Sequence, residues 1–99
     1  FFMLIRFNKQ RHFSIFMEYL ARVEVCLKPG HSDPEGETTK ESLVELDYPV
    51  KSVRVSKVYE VRLEAYQPQD AKRQVEEMCR RLLANPVKDN YSFQIEETR

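Results

Sequence analysis

The sequence predicts one α+β domain of ferredoxin-like order, βαββαβ, in which a four-stranded antiparallel sheet carries two helices on one face. Three observations support this fold. The chain has only 99 residues, four short segments alternate apolar with polar residues, and two helical patterns separate the first strand from the second and the third from the fourth. A chain of this length has room for a single domain.

The first predicted strand begins near Met17 and ends before Lys28, with apolar and mostly polar residues in alternation. Its inward positions are apolar and its outward positions mostly charged, and the inward set is Tyr19, Ala21, Val23, Val25 and Leu27. Lys28-Pro29-Gly30 then breaks the strand. Asp33 predicts the N-cap of the first helix and Pro34 its first turn, where the missing N–H of proline costs nothing. The helix should end near Leu46, and its apolar face is thin.

Two strands are predicted in close succession after this helix. Asp47-Tyr48-Pro49 turns the chain into a second strand around Val53 and Val55. The third strand points Tyr59, Val61, Leu63 and Ala65 inward. We expect the two strands to form a hairpin around Ser56-Lys57, although no Asn-Gly or Asp-Gly pair defines its turn.

The second helix has the stronger amphipathic pattern. The helix is predicted to begin at Gln67-Pro68-Gln69-Asp70 and to end at Asn85-Pro86. Its predicted core face is Ala71, Val75, Met78, Cys79, Leu82 and Leu83. A fourth strand follows, with Tyr91, Phe93 and Ile95 inward. The right-handed crossover rule places strands one and three in the centre of the sheet and strands two and four at its edges.

The composition argues against several classes of function. Lys plus Arg number 16 and so do Asp plus Glu, so the zero net charge gives no attraction to nucleic acid or to anionic membranes. The two glycines are too few for a glycine-rich phosphate loop, and the longest apolar run, Phe1–Ile5, cannot span a bilayer. Cys26 and Cys79 lack metal-ligand spacing, so we expect free thiols in a reducing cytoplasm, with one disulfide as the alternative.

Residues 1–16 differ from the rest of the chain. Five apolar residues precede the basic and polar stretch Arg6–His12, an order that lacks the long apolar segment and cleavage site of a signal peptide. We therefore divide the chain into an N-terminal extension over 1–16, introduced at cloning or translated from an early start codon, and a domain over 17–99. A membrane-surface anchor is the alternative, but the basic and apolar residues share no helical face.

No set of residues is typical of an active site. The exposed sheet face should carry Arg22, Glu24 and Arg62 where an RNA-binding domain of this fold carries stacking aromatics. Cys26 and His31 are the nearest approach to a nucleophile–base pair, and no third residue would orient them. The carboxylates of the first helix indicate a solvated face rather than a metal site. The residues therefore indicate a domain that binds partners and performs no reaction itself.

Four segments resemble one small family in their order and spacing. They are Leu27-Lys28-Pro29-Gly30, Asp33-Pro34-Glu35-Gly36, Val53-Arg54-Val55-Ser56-Lys57, and Glu76-Glu77-Met78-Cys79 through Leu82-Leu83-Ala84-Asn85-Pro86, followed by Tyr91. Over residues 17–97 the chain resembles PurS, the small accessory subunit of phosphoribosylformylglycinamidine (FGAM) synthase. It departs from the family at Ser56 and at Asp47-Tyr48-Pro49, where relatives tend to have glycine.

The resemblance implies a role without chemistry of its own. PurS-like subunits join a glutaminase, which releases ammonia, to a large ATP-dependent synthetase, which converts formylglycinamide ribonucleotide to the amidine in purine biosynthesis. The expected partners are therefore a second copy of the chain, in a homodimer or a tetramer, the glutaminase and the synthetase, all in the cytoplasm. No nucleic acid or membrane partner is expected. No cofactor is expected in this chain, since the synthetase would use ATP and magnesium.

The residues expected to contact these partners are Lys28, Arg54 and Lys57. They lie at strand ends and at the predicted hairpin, where folding requires no cation. Asp33 and Asn85 also match the family, but a helix cap and a helix stop explain them first. Self-association is expected at an edge strand, where pairing covers exposed N–H groups. The rival interpretation is a free-standing ACT-like dimer that senses an amino acid, and an RNA-binding domain is the third.

Overall fold

The computed structural model describes residues 16–98 and has three strands and two helices. In chain order they are β1 Met17–Leu27, α1 Pro34–Glu45, β2 Lys57–Ala65, α2 Pro68–Met78 and β3 Asp89–Glu97. One π-helical turn, Cys79–Leu83, continues α2. The predicted extension over 1–16 lies outside the described residues except for Phe16, so the division of the chain stays a prediction.

The sheet is antiparallel, with its strands in the order β2-β1-β3. The central strand β1 pairs with both neighbours, and Val23 lies opposite Tyr59 of β2 and Phe93 of β3. Along β1 the inward side chains from Tyr19 to Val25 are buried, while the outward ones are half-buried or exposed. The period of two that predicted these strands is therefore confirmed.

The core is one apolar layer between the inner face of the sheet and the second helix. Its largest buried cluster comprises Ala21, Val23, Val25, Val75, Cys79 and Ala84. A smaller cluster joins Tyr19, Ala65 and Ala71. Burying a valine completely contributes roughly 1.5–3 kcal/mol, whereas an exposed ion pair contributes about 0–1 kcal/mol. This layer is therefore the main source of stability.

Within residues 16–98 the predicted second strand, around Val53 and Val55, does not form, so the prediction of a four-stranded sheet is wrong, whereas the predicted last strand is present as β3. Residues 48–56 return along α1 without pairing to a strand. Tyr48 N donates to Leu43 O at 3.1 Å, and Val55 N donates to Asp33 Oδ2 at 2.9 Å. Because α1 and its cap bind these N–H groups, the hairpin expected at Ser56-Lys57 does not form. The predicted third strand, now β2, consequently lies at an edge of the sheet rather than in its centre.

The first helix does not pack on the sheet, so the prediction of two helices on one face is also corrected. Among the described residues α2 packs against all three strands, whereas α1 makes at most minor contacts with other elements. Leu46 is 67% exposed just after α1, and Val44 within it is also exposed. With so few apolar side chains, α1 gains little from covering the sheet. We call residues 34–56, α1 with its return segment, the arm.

The turn at the end of α1 contains a left-handed residue. Asp47 has a φ of 73°, a conformation that costs a non-glycine residue roughly 1–2 kcal/mol. Its N–H donates to Val44 O at 2.9 Å, which closes the helix end. A glycine would adopt this backbone conformation without that cost.

The π-helical turn changes which leucine is buried. Ala84 N donates to Cys79 O, five residues earlier, at 3.0 Å. This wider turn moves the following side chains around the helix axis relative to an α-helix. Leu83 is half-buried against the core, whereas Leu82 is 82% exposed. The prediction that Leu82 belongs to the core face is therefore wrong, because it assumed a regular α-helical period.

A substitution at Gly36 tests the packing inside the arm. Gly36 is the one buried residue of α1, and a Cβ there would overlap Val53 O and lie 2.7 Å from Asp33 Oδ2. We expect Gly36→Ala to lower the free energy of unfolding by about 1–3 kcal/mol, although alanine is the better helix former. Chemical denaturation measures this, with the exposed Thr39→Ala as a control that should be neutral or stabilising. An unchanged stability for Gly36→Ala would contradict the close approach.

Candidate partner-binding site

The three cations predicted to contact partners lie at one end of the sheet, where β1 ends and β2 and β3 begin. The register places Lys57 opposite Val25, near the end of β1. Lys28 N donates to Lys88 O at 2.7 Å, which brings the loop before β3 to the same place. We call this region, defined by Lys28, Arg54, Lys57 and Lys88, the basic end.

Two of these cations bind backbone carbonyl groups. Lys28 Nζ donates to Pro86 O at 3.2 Å, and Arg54 Nη2 donates to Leu27 O at 2.8 Å. They join neighbouring segments to the end of β1, and these two contacts were not predicted from the sequence. Lys57 is exposed and has no hydrogen-bond or ion-pair partner within residues 16–98.

Asp33 connects the two parts of the arm. Its Oδ1 accepts a hydrogen bond from Gly36 N at 3.0 Å and its Oδ2 accepts one from Val55 N at 2.9 Å. The first bond is the predicted N-cap, which is confirmed. Hydrogen bonds from the amides of Gly36 and Val55, and then the charge of Arg54, lower the pKa of the Asp33 carboxyl.

The loop before β3 is fixed by its own polar side chains. Asn85 Oδ1 accepts hydrogen bonds from Val87 N at 2.8 Å and from Lys88 N at 3.2 Å. Asp89 Oδ2 accepts one from Asn85 N, also at 2.8 Å. Asn85 is thus the start of a hydrogen-bonded turn as well as the predicted helix stop, and the loop is ordered where it meets Lys28.

The outer face of the sheet carries charges that pair across the strands. Arg22 pairs with Glu60, and Arg62 Nη1 lies 3.4 Å from Glu18 Oε2. The aromatic residues Tyr59, Tyr91 and Phe93 pack against the core on the opposite face. Because the centre of the outer face carries charged pairs where an RNA-binding domain of this fold carries aromatic rings, it does not favour single-stranded RNA.

Neither thiol is placed for catalysis. Both cysteines are free. Cys79 is completely buried, and burial, followed by the charge of Glu76, raises the pKa of its thiol, which disfavours the thiolate. Cys26 is half-buried, and among residues 16–98 no hydrogen bond joins it to His31. The same residues contain no group of three or more His, Cys, Asp or Glu side chains able to hold a metal.

One polar contact in the core layer was not predicted. Tyr91 OH donates to Glu76 Oε2 at 2.5 Å and so joins β3 to α2. That hydrogen bond, followed by burial, raises the pKa of Tyr91. The sequence did contain a signal, because an inward-facing tyrosine needs a partner for its hydroxyl. The position of the acceptor, fifteen residues away, depends on the tertiary packing.

The fold and its surface define a small α+β domain whose distinctive features are a basic end and an uncovered arm rather than reactive side chains. Among residues 16–98, no helix combines the length and the apolar character needed to span a bilayer. These are features of a binding subunit, and the comparisons with known proteins specify the family.

The family model PurS, phosphoribosylformylglycinamidine (FGAM) synthase, matches residues 20–97. The chain is 45% identical over 75 residues to the PurS subunit of FGAM synthase from Archaeoglobus fulgidus, covering 75% of this chain and 94% of the relative. Thermus thermophilus PurS has a TM-score of 0.75 at 35% identity, with 83% and 99% of the two chains covered. A chain of the Thermotoga maritima PurLQS structure gives 0.71 at 30% identity, with 82% and 98% covered. The chain therefore belongs to the PurS family.

Asp33 should make the stability of the fold sensitive to acid. The pKa of Asp33 is lower in the folded chain than the ordinary value near ~3.9. Its ionised form therefore stabilises the fold above that ordinary value, and this contribution disappears as the pH falls through the lowered pKa. Asp33→Asn removes the titration together with the charge.

We expect Asp33→Asn to melt at a lower temperature than the wild type at neutral pH, and the two melting temperatures to converge below roughly pH 4. Thermal melts recorded by circular dichroism across this range measure the difference. Parallel pH profiles would contradict the role assigned to the Asp33 carboxylate.

Proposed function

We propose that this chain is the non-catalytic accessory subunit of a split, cytoplasmic FGAM synthase. In this role it joins a glutaminase subunit to an ATP-dependent synthetase subunit, so that ammonia passes between them in purine biosynthesis. The observation that carries the proposal is the PurS family match over residues 20–97, and the likeness to a chain of PurLQS supports it. ATP and magnesium are assigned to the synthetase and no cofactor to this chain.

The physical need for such a subunit comes from the chemistry of ammonia. Ammonia is mostly protonated near neutral pH and is then no longer a nucleophile, so it must reach the acceptor before it equilibrates with water. Holding two active sites in a fixed relation replaces a diffusional encounter with a short directed path. The buried layer between β1 and α2 gives this chain a rigid body suited to that task.

We assign Lys28, Arg54 and Lys57 to contacts with the partner subunits. All three lie at the basic end, and their charged groups form exposed hydrogen bonds or none. An ammonium and a guanidinium each carry several donors, so one bond to a backbone carbonyl leaves donors for a second protein. Lys57, which has no partner within residues 16–98, is the clearest candidate.

We also propose that the chain forms a homodimer. Within the described residues no strand pairs with the outer edge of β2. The arm leaves Val44, Leu46 and Tyr48 exposed, the last at 56%. A second copy would cover both features, since edge pairing satisfies free N–H groups and burial removes apolar surface from water. The comparisons give no support to an ACT-like amino-acid sensor.

Reconstitution tests the proposed function. The full chain is mixed with the synthetase and the glutaminase of its organism, and amidation is followed with glutamine or with ammonium salt as the nitrogen source. We expect omission of this chain to lower the glutamine-driven rate by about tenfold or more and to leave the ammonia-driven rate within about twofold, because only the former needs aligned subunits. Equal rates with and without the chain, for both nitrogen sources, would exclude the bridging role.

The homodimer is tested by sedimentation of the chain alone, which also separates a dimer from a tetramer. We expect Leu46→Lys to shift the population towards the monomer, because the interface would then bury an unpaired charge. Leu82→Lys is the matched control, since Leu82 is also an exposed leucine but lies in the π-helical turn, outside the arm, and it should keep the wild-type mass. A monomeric wild type, or a Leu46→Lys dimer of unchanged affinity, would contradict the proposal.

A further inference from the structure

We infer that the return segment of the arm and the outer edge of β2 form one continuous edge over residues 52–64, along which a second copy of the chain pairs antiparallel about Val58. We call these residues the long edge. The inference rests on the homodimer of the proposed function and specifies its interface. In this dimer the return segment of each copy lies beside β2 of the other and adds a strand to its sheet.

The hydrogen bonds of β1 show which backbone groups of β2 are free. In an antiparallel sheet, successive residues direct their N–H and C=O groups to opposite sides of the strand. Lys28 N donates to Lys88 O at one end of the β1–β3 pair, and Thr98 N donates to Glu18 O at the other. The even-numbered residues of β1 therefore face β3, and the odd-numbered ones face the odd-numbered residues of β2. The even-numbered residues of β2 consequently face its outer edge, where no strand pairs with them among the described residues.

The return segment continues this edge with the same alternation. Val55 N donates to the carboxylate of Asp33, and Val53 O lies where a Cβ of Gly36 would stand. The odd-numbered residues of this segment thus direct their backbone groups towards the arm. No turn or bend interrupts residues 51–56. The even-numbered residues from 52 to 56 face the other way, and their backbone groups form no hydrogen bond within residues 16–98.

The long edge is self-complementary because both of its halves present the same free groups. Two copies that pair antiparallel along its whole length are related by a two-fold axis at its midpoint, residue 58. Residue 52 then lies opposite residue 64, and even-numbered residues meet even-numbered ones throughout. Free N–H groups of one copy therefore meet free C=O groups of the other. The long edge contains no proline to interrupt this pairing.

The inner side chains of the long edge suit this register. It places Val53 opposite Leu63 and Val55 opposite Val61, and all four are half-buried in the single chain. Directly opposed apolar side chains on one face stabilise a pair of strands. The two valines of the return segment thereby extend the apolar layer of the second copy beyond its β2.

The same register covers exposed apolar side chains on the outer face. Val58 is 54% exposed and meets the Val58 of the second copy on the axis. Tyr66, just beyond the long edge and 57% exposed, lies next to Val50 of the second copy. A strand of another protein could bond to the same backbone groups, but a second copy also supplies these side-chain pairs. The occupant that fits the long edge is therefore this chain itself.

One pair of like charges meets in this register, since Arg54 lies opposite Arg62. Each already has a partner in its own chain, a backbone carbonyl for Arg54 and the carboxylate of Glu18 for Arg62. A diagonal neighbour of Arg54 is Glu64 of the second copy, which has no ion-pair partner within residues 16–98. Opposite charges at diagonal positions attract each other and offset the repulsion.

Disulfide cross-linking of the full chain tests the register. Val58→Cys places a cysteine of each copy on the axis, where paired strands hold the Cα atoms about 5.5 Å apart, within reach of a disulfide. In Glu60→Cys the two cysteines are separated by four residues along the strands, about 14 Å. We expect mild oxidation to join Val58→Cys at least about tenfold faster than Glu60→Cys. The wild type, with Cys26 and Cys79, measures the background.

Sedimentation of charge variants tests the contact at the axis. Val58→Lys brings two ammonium groups face to face, so we expect it to weaken the dimer by at least about tenfold. Val87→Lys is the matched control, since Val87 is also an exposed valine but lies in the loop before β3, outside the long edge. It should keep the wild-type affinity. Thermal melts confirm that both variants are folded.

Two results would overturn this interface while leaving the homodimer and the bridging role intact. One is a wild-type dimer whose affinity Val58→Lys leaves unchanged. The other is cross-linking of Val58→Cys that is no faster than that of Glu60→Cys. If the wild-type chain is a monomer, the homodimer and this interface fail together, and the reconstitution decides the bridging role separately.

Discussion

The carboxylate of Asp33 determines the path of the chain between β1 and β2. One of its oxygens caps α1 at Gly36 N, and the other accepts the hydrogen bond from Val55 N, near the end of the return segment. This second bond binds an N–H group that the predicted second strand would have used in the sheet. As a consequence the arm folds onto itself, α1 stays off the sheet, and the outer edge of β2 has no neighbour among the described residues.

The position of α1 in the arm also determines which faces of the sheet are covered and which are exposed. With α1 in the arm, the sheet is covered on its inner face by α2, and stability depends on one apolar layer around Val23 and Val75. The ion pairs on the outer face are exposed, so they contribute little to folding. A domain built in this way has several free surfaces for its size, which is consistent with a subunit whose role is to hold other subunits together.

The cations of the basic end differ in what they contact within the chain. Arg54 and Lys28 bind backbone carbonyl groups of neighbouring loops and so close the end of the sheet. The side chain of Lys57, the residue that follows the return segment, forms no such bond within residues 16–98. Two cations that bind the backbone, Lys28 and Arg54, thus lie near Lys57, whose side chain has no partner within residues 16–98.

The sequence by itself determined the elements whose periodicity is local. The alternation of β1 predicted its buried face, Asp33 and Pro34 predicted the start of α1, and the spacing of Ala71 and Val75 predicted the buried face of α2. The order of short segments also predicted membership of the PurS family, which residues 20–97 confirm.

Features that depend on contacts between residues far apart in the chain were decided only by the tertiary structure. Val53 and Val55 have the pattern of a strand, but a side chain 22 residues from Val55 binds its N–H group instead. Leu82 fits an α-helical core position until one wider turn moves it to the surface. The contacts of Lys28 and Arg54 were missed for the same reason. Each competing hydrogen-bond partner is distant in sequence, and local patterns contain no information about which one the backbone will meet.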